Sequence, residues 1–113
     1  MKTKKLYCNF ASNIYYCECK NYKEFTNHLK RKFPEMKDEF WGDNFDGETQ
    51  TITYKGERHY YIWAEERDLI VINHEVLHVC LRVAEHLGIP TDVATSEFLT
   101  YLQEDLVKQI TMK

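Results

Sequence analysis

The longest apolar stretch runs from Leu69 to Leu87, and its flanks punctuate it as a helix. Asp68 stands where an N-cap belongs, Gly88 where a helix stops, and Pro90 lies just beyond. A second helix is predicted after it, capped near Thr91 or Thr95 and reaching about Ile110. Phe98, Leu102, Leu106 and Ile110 form its apolar stripe. The short link around Gly88-Ile89-Pro90 makes the two helices antiparallel neighbours. Upstream, Asn21 and Glu24 form a capping-box pair. Tyr22, Phe25, Leu29 and Phe33 then recur at helical spacing until Pro34. His28 falls on the polar side of that helix and reads as solvated.

Between these helices the pattern changes to strands. Thr49–Tyr54 and Arg58–Ala64 are rich in β-favouring residues and are joined by Lys55-Gly56-Glu57, a hairpin signal. Leu6 to Cys19, with Tyr7, Phe10, Ile14, Tyr15 and Tyr16, reads as one or two strands, Ile14–Cys19 among them. The run Lys2 to Lys5 reads as a solvated terminus. Glu35–Glu48 is irregular and acidic; Asn44-Phe45-Asp46-Gly47 is similar to the middle of a calcium loop. Gly42 and Thr53 stand where that loop needs acidic ligands, so a turn through Asp46-Gly47 is the expectation. Trp41 in this stretch is a candidate ligand-facing aromatic. The sum is an α+β domain spanning 1–113. A small mixed or antiparallel sheet packs on the Leu69–Leu87 helix and a second antiparallel C-terminal helix.

Composition narrows the chemistry. A chain of 113 residues supports one modest core. A formal charge of −3 supplies no basic face for nucleic acid. No run approaches the roughly 20 apolar residues of a membrane span. Met1-Lys2-Thr3-Lys4-Lys5 is followed by no hydrophobic region, so the expectation is a cytoplasmic protein. Cys8, Cys17, Cys19 and Cys80 are then expected as reduced thiols.

The stretch that carries chemistry is His74-Glu75-Val76-Leu77-His78. Residues four apart share a helix face, so His74 and His78 can chelate one metal ion. Glu75 lies beside that face, placed to act as general base on a metal-bound water. Val71, Ile72, Val76, Leu77, Val79 and Cys80 around the motif are all uncharged, unlike an ordinary solvated helix. A third ligand is needed, and the second helix offers Glu97 in its first turn or two, with Tyr101 four residues on. Glu85 lies about 10 Å along the axis from His78, too far to share the metal. Glu104 is excluded by a similar distance, while His59 and His86 remain fallback ligands.

His74-Glu75-Val76-Leu77-His78, the Gly88 stop and the downstream helical Glu97 together resemble the zincin metallopeptidases, nearer the gluzincin branch. The resemblance covers about residues 54–110 and extends to small stand-alone zincin-like proteins of phages and prophages. It implies a Zn2+ site of His74, His78 and Glu97, with Glu75 as general base. It also implies hydrolysis of a peptide bond in a peptide or protein substrate. Larger gluzincins use a second subdomain to wall the cleft and supply an oxyanion-stabilising His or Tyr. No stretch here reads as that subdomain; Tyr101, Tyr60 or Tyr61 are candidates for the role, and an unknown protein partner is a candidate for the wall. Tyr101 also stands where many gluzincins carry an Asp that orients a zinc ligand. The strand Arg58–Ala64, with Tyr60 and Ile62, is expected to pair with the substrate if it lies at the sheet edge. The alternative is a non-catalytic zinc-binding accessory protein of phage or prophage origin, and a different divalent metal can replace zinc.

Overall fold

The computed structural model describes residues 2–39 and 46–112. Trp41 and the Asn44-Phe45 part of the calcium-loop-like stretch lie outside them. The elements, in order, are β1 (Lys2–Leu6), β2 (Ile14–Glu18), α1 (Tyr22–Lys32), β3 (Gly47–Tyr54), β4 (Glu57–Ala64), α2 (Leu69–Leu87) and α3 (Ser96–Thr111). The strands form one mixed sheet in the order β1-β2-β4-β3, with β2 parallel to β4 and the other pairs antiparallel. The fold is α+β, as the pattern predicts. Among the described residues no helix is long and apolar enough to cross a membrane, and all four cysteines are free thiols.

The punctuation of the helices works as the residue types require. The Asn21 side chain accepts from the Glu24 N–H at 2.8 Å. Glu24 reaches back to the Lys20 N–H at 3.4 Å rather than to Asn21, so only half of the capping box forms. Asp68 accepts from the Ile70 and Val71 N–H groups, and Gly88 ends α2 in the left-handed conformation at φ 71°. The β3–β4 turn is Lys55-Gly56, both at positive φ (53° and 80°), the twist that a two-residue hairpin turn needs.

Two layers cover the sheet. Alternation along β4 sends Tyr60, Ile62 and Ala64 to one face and Tyr61 and Trp63 to the other. On the first face α2 and α3 pack through Ile72, Val76, Val79, Val83, Leu102, Leu106 and Ile110. On the second, α1 packs through Tyr22, Phe25, Leu29 and Phe33. The two C-terminal helices lie side by side and antiparallel: the Arg67 guanidinium, just before α2, donates to the Ile110 carbonyl at the end of α3 (2.7 Å). The short link 88–95 joins their other ends.

The structure differs from the sequence reading at three places. Lys2–Leu6 is an edge strand, not a loose terminus. Leu6 is its one buried side chain, and exposed lysines fill an edge that must not recruit other strands. Lys4 donates to the Gln109 and Met112 carbonyls, the unsatisfied end of α3. Arg58–Ala64 belongs to an interior strand, paired with β2 on one side and β3 on the other, so it offers no edge to a substrate. His28 is half-buried, with its ring 6.2 Å from that of Tyr61.

Candidate functional site

The helix α2 lies over β3 and β4, while α3 reaches towards β1. One flank of α2 therefore meets α3, and the other overhangs the edge strand β3. The motif occupies that second, open flank. His74 and His78 are both exposed and project from successive turns, and their Nε2 atoms stand 3.3 Å apart. Two Zn–N bonds of about 2.0–2.1 Å at the tetrahedral angle separate their nitrogens by about 3.3–3.4 Å. The pair thus has the spacing of a two-histidine chelate.

Glu75 is held differently from its neighbours. It is only 8% exposed, a carboxylate on the apolar side of the helix. The Thr49 hydroxyl on β3 lies 2.9 Å from Glu75 Oε1 and 3.0 Å from the Glu75 carbonyl oxygen. A hydroxyl carries one proton, so its donation is shared between those acceptors. That contact fixes Oε1 and leaves Oε2 4.0 Å from His74 Nε2. The carboxylate is thus held through one oxygen, with the other turned towards His74.

The close approach of β3 to α2 depends on Gly47. A Cβ there would collide with Val71 Cγ1 and stand 3.1 Å from the Trp63 carbonyl oxygen and 3.2 Å from Glu75 Cγ. Between strand and helix runs a trough of about 520 Å³, lined by Glu48, Thr49, Thr51, Arg58, Glu75, His78 and Arg82 among others. Burial raises the Glu48 carboxyl above its usual range, and the negative charge of Glu75 pushes it the same way.

The other candidates fall elsewhere. Among the described residues, no third His, Cys, Asp or Glu joins His74 and His78 in a group that could hold a metal. Glu97 is exposed on the first turn of α3. The topology gives the reason: α3 packs on the Asn73 side of α2, where Gln103 Nε2 donates to the Asn73 carbonyl at 3.0 Å. Successive helix positions are about 100° apart, so that side is turned away from His74. Tyr101, 66% exposed, lines a separate depression with Phe10, Phe98 and Asp105. Tyr60 and Ile62 are core residues and not the substrate contacts expected. They are 1% and 0% exposed, because even positions of β4 point into the core beneath α2. Tyr61 is equally enclosed on the opposite face, and His59 shares that face, so neither borders the motif. His86 lines another cavity, with Cys8 and Arg58.

Sequence reading missed Gly47, Thr49, Arg58 and Arg82. Their signal is weak: Thr49, Thr51 and Thr53 alternate along a hairpin strand that carries polar residues on both faces. No family model, no curated protein and no solved structure matches the chain.

Proposed function

We propose that this protein is a zinc-dependent metallopeptidase of zincin type, acting on extended peptide segments. The observation that carries the reading is the joint placement of the His74–His78 pair and Glu75. The pair has chelate spacing, and the carboxylate beside it is buried and oriented by Thr49. A histidine pair serving only as a metal staple has no need of an oriented carboxylate at its side.

His74 and His78 are the residues that would hold zinc, which when bound supplies Lewis acidity at a substrate carbonyl and acidifies water. The chain's own contributions are binding, orientation and proton transfer. The outer edge of β3, the last strand in the sheet order, accepts an extended backbone by strand addition, the role that β4 cannot take. Peptide seated there runs past Thr49 and Glu75 along the trough. Glu75 Oε2 takes the proton of the attacking water and returns it to the leaving amine, with Oε1 retained by Thr49 throughout.

The test has two parts. Zinc content and affinity are measured for the wild-type chain and for His74→Ala/His78→Ala; about one zinc per chain, lost in the double variant, is expected. Loss in Glu97→Ala as well would mean that the first turn of α3 closes onto the pair. Cleavage of an unfolded protein is then followed with and without Glu75→Gln. This variant should keep zinc and lose turnover. Retained turnover removes Glu75 from the mechanism. Zinc bound by a wild-type chain that cleaves nothing makes this a zinc-binding module instead.

A further inference from the structure

The trough has two chemically different ends. At one stand Glu48, Glu75 and His78; at the other stand Arg58, from β4, and Arg82, one helical turn beyond His78. Arg58 is half-buried, and among the described residues its guanidinium has neither a carboxylate nor a hydrogen-bond acceptor. Arg82 touches Glu85 at 3.3 Å, but both side chains are well exposed, and such a pair is easily exchanged for another partner. Arg58 and Arg82 thus line one cleft in a chain whose formal charge is −3, Arg58 at its border with the cavity of Cys8 and His86.

We infer that this end of the trough is a carboxylate subsite, in which Arg58 and Arg82 hold an anionic group of the bound peptide. The inference rests on the peptidase reading for the nature of the ligand. A guanidinium with no anionic partner among the described residues is available to an anionic ligand. A planar guanidinium offers a carboxylate two parallel hydrogen bonds, and two of them around one carboxylate select it over a neutral amide. Arg82 lies about 6 Å along the helix from His78. An extended peptide advances about 3.3 Å per residue, so the anionic group lies roughly two residues from the bond at the histidines. A free C-terminus and an acidic side chain supply the same chemistry. The first makes the enzyme trim chain ends, and the second makes it cut beside Asp or Glu.

The experiment needs neither metal nor turnover. The metal-free wild-type chain is titrated, at low salt, with three hexapeptides of one neutral sequence, all N-acetylated. The first is C-terminally amidated, the second has a free C-terminal carboxylate, and the third is amidated with one internal Glu. At least one acidic peptide should bind about tenfold more tightly than the neutral one, a factor equal to about 1.4 kcal/mol. Arg58→Gln and Arg82→Gln should each reduce that preference, and whichever acidic peptide wins identifies the source of the carboxylate. Equal binding of the three, no binding of any, or a preference unchanged in both variants overturns the subsite. Zinc binding and cleavage are scored separately, so failure of the peptidase reading and failure of this one are told apart.

Discussion

On the α1 face of the sheet the aromatic rings close over one another. Phe25 stacks on Trp63 with centroids 6.1 Å apart, Tyr15 stacks on Tyr61 at 5.0 Å, and Phe33 meets Tyr61 edge-on at 5.8 Å. On the opposite face the packing under α2 is mostly aliphatic, with Tyr16 and Tyr60 among it, and stops short of the sheet edge. There Thr49, Glu75 and Arg58 take positions that a purely structural layer would give to apolar groups. One sheet therefore carries a closed face that holds the fold together and a half-open face that spends some stability on polar groups. The contrast predicts that substitutions on the closed face act on folding, and those at the trough on chemistry.

The largest effect should come from Trp63→Ala. It removes a buried indole from the ring cluster and the donor to the Cys19 carbonyl at 2.9 Å. A loss of about 3–5 kcal/mol is expected, read as a fall in the urea midpoint. An effect below about 1 kcal/mol would show that the rings do not hold the sheet. Next is Gly47→Ala, where the strand approaches the helix. Overpacking here should cost about 1–3 kcal/mol and displace Glu75. Trimming the opposing side chain with Val71→Ala should recover part of that cost, and strictly additive effects in the double variant would disprove the clash.

Thr49→Val sharpens the contrast from the other side. Its stability cost should be about 1–2 kcal/mol, since a buried carboxylate loses its donor. Peptide cleavage should fall by about tenfold to a hundredfold, because the base loses its orientation while metal binding stays intact. Thr49→Ser should restore most of the activity. A variant that unfolds readily but cleaves normally would place Thr49 with the structural residues.

Which parts were legible in the sequence follows from the range of the forces that set them. Helix ends are written locally: Asp68, Gly88, Asn21 and Pro34 act on backbone groups within a turn of themselves, and α1 and α2 begin and stop where these residues dictate. The His74–Glu75–His78 group is legible for the same reason, since one helix fixes its spacing. Strand order is not local. Nothing within Arg58–Ala64 says that β2 and β3 will cover both its edges, and so Tyr60 and Ile62 were expected at a substrate edge where the structure has core. The lysines of β1 write an edge strand in the same letters as a solvated tail. Glu97 shows the limit most clearly. Its distance along the chain from His78 is fixed, but which flank of α2 receives α3 depends on the whole sheet.

The smallest effect is one of pH. Burial lowers the pKa of His59 and of His28 below the usual imidazole value. At His59, Glu57 pulls in the opposite direction and Lys32 adds to the lowering. At His28, Lys32 and Arg31 both add to it. His59 Nδ1 is enclosed and has no hydrogen-bond partner among the described residues, so a proton placed there gains nothing. The sign follows by linkage: below the unfolded value of about 6.5, the unfolded chain takes up these protons more readily than the folded one. The contribution is therefore intact above about pH 6.5 and is lost as the pH falls through the depressed folded values. Urea midpoints should fall modestly between pH 7.5 and 5.5, and His28→Gln/His59→Gln should flatten that slope. A slope that persists in the double variant would mean that the acid sensitivity of the fold does not reside in His28 and His59.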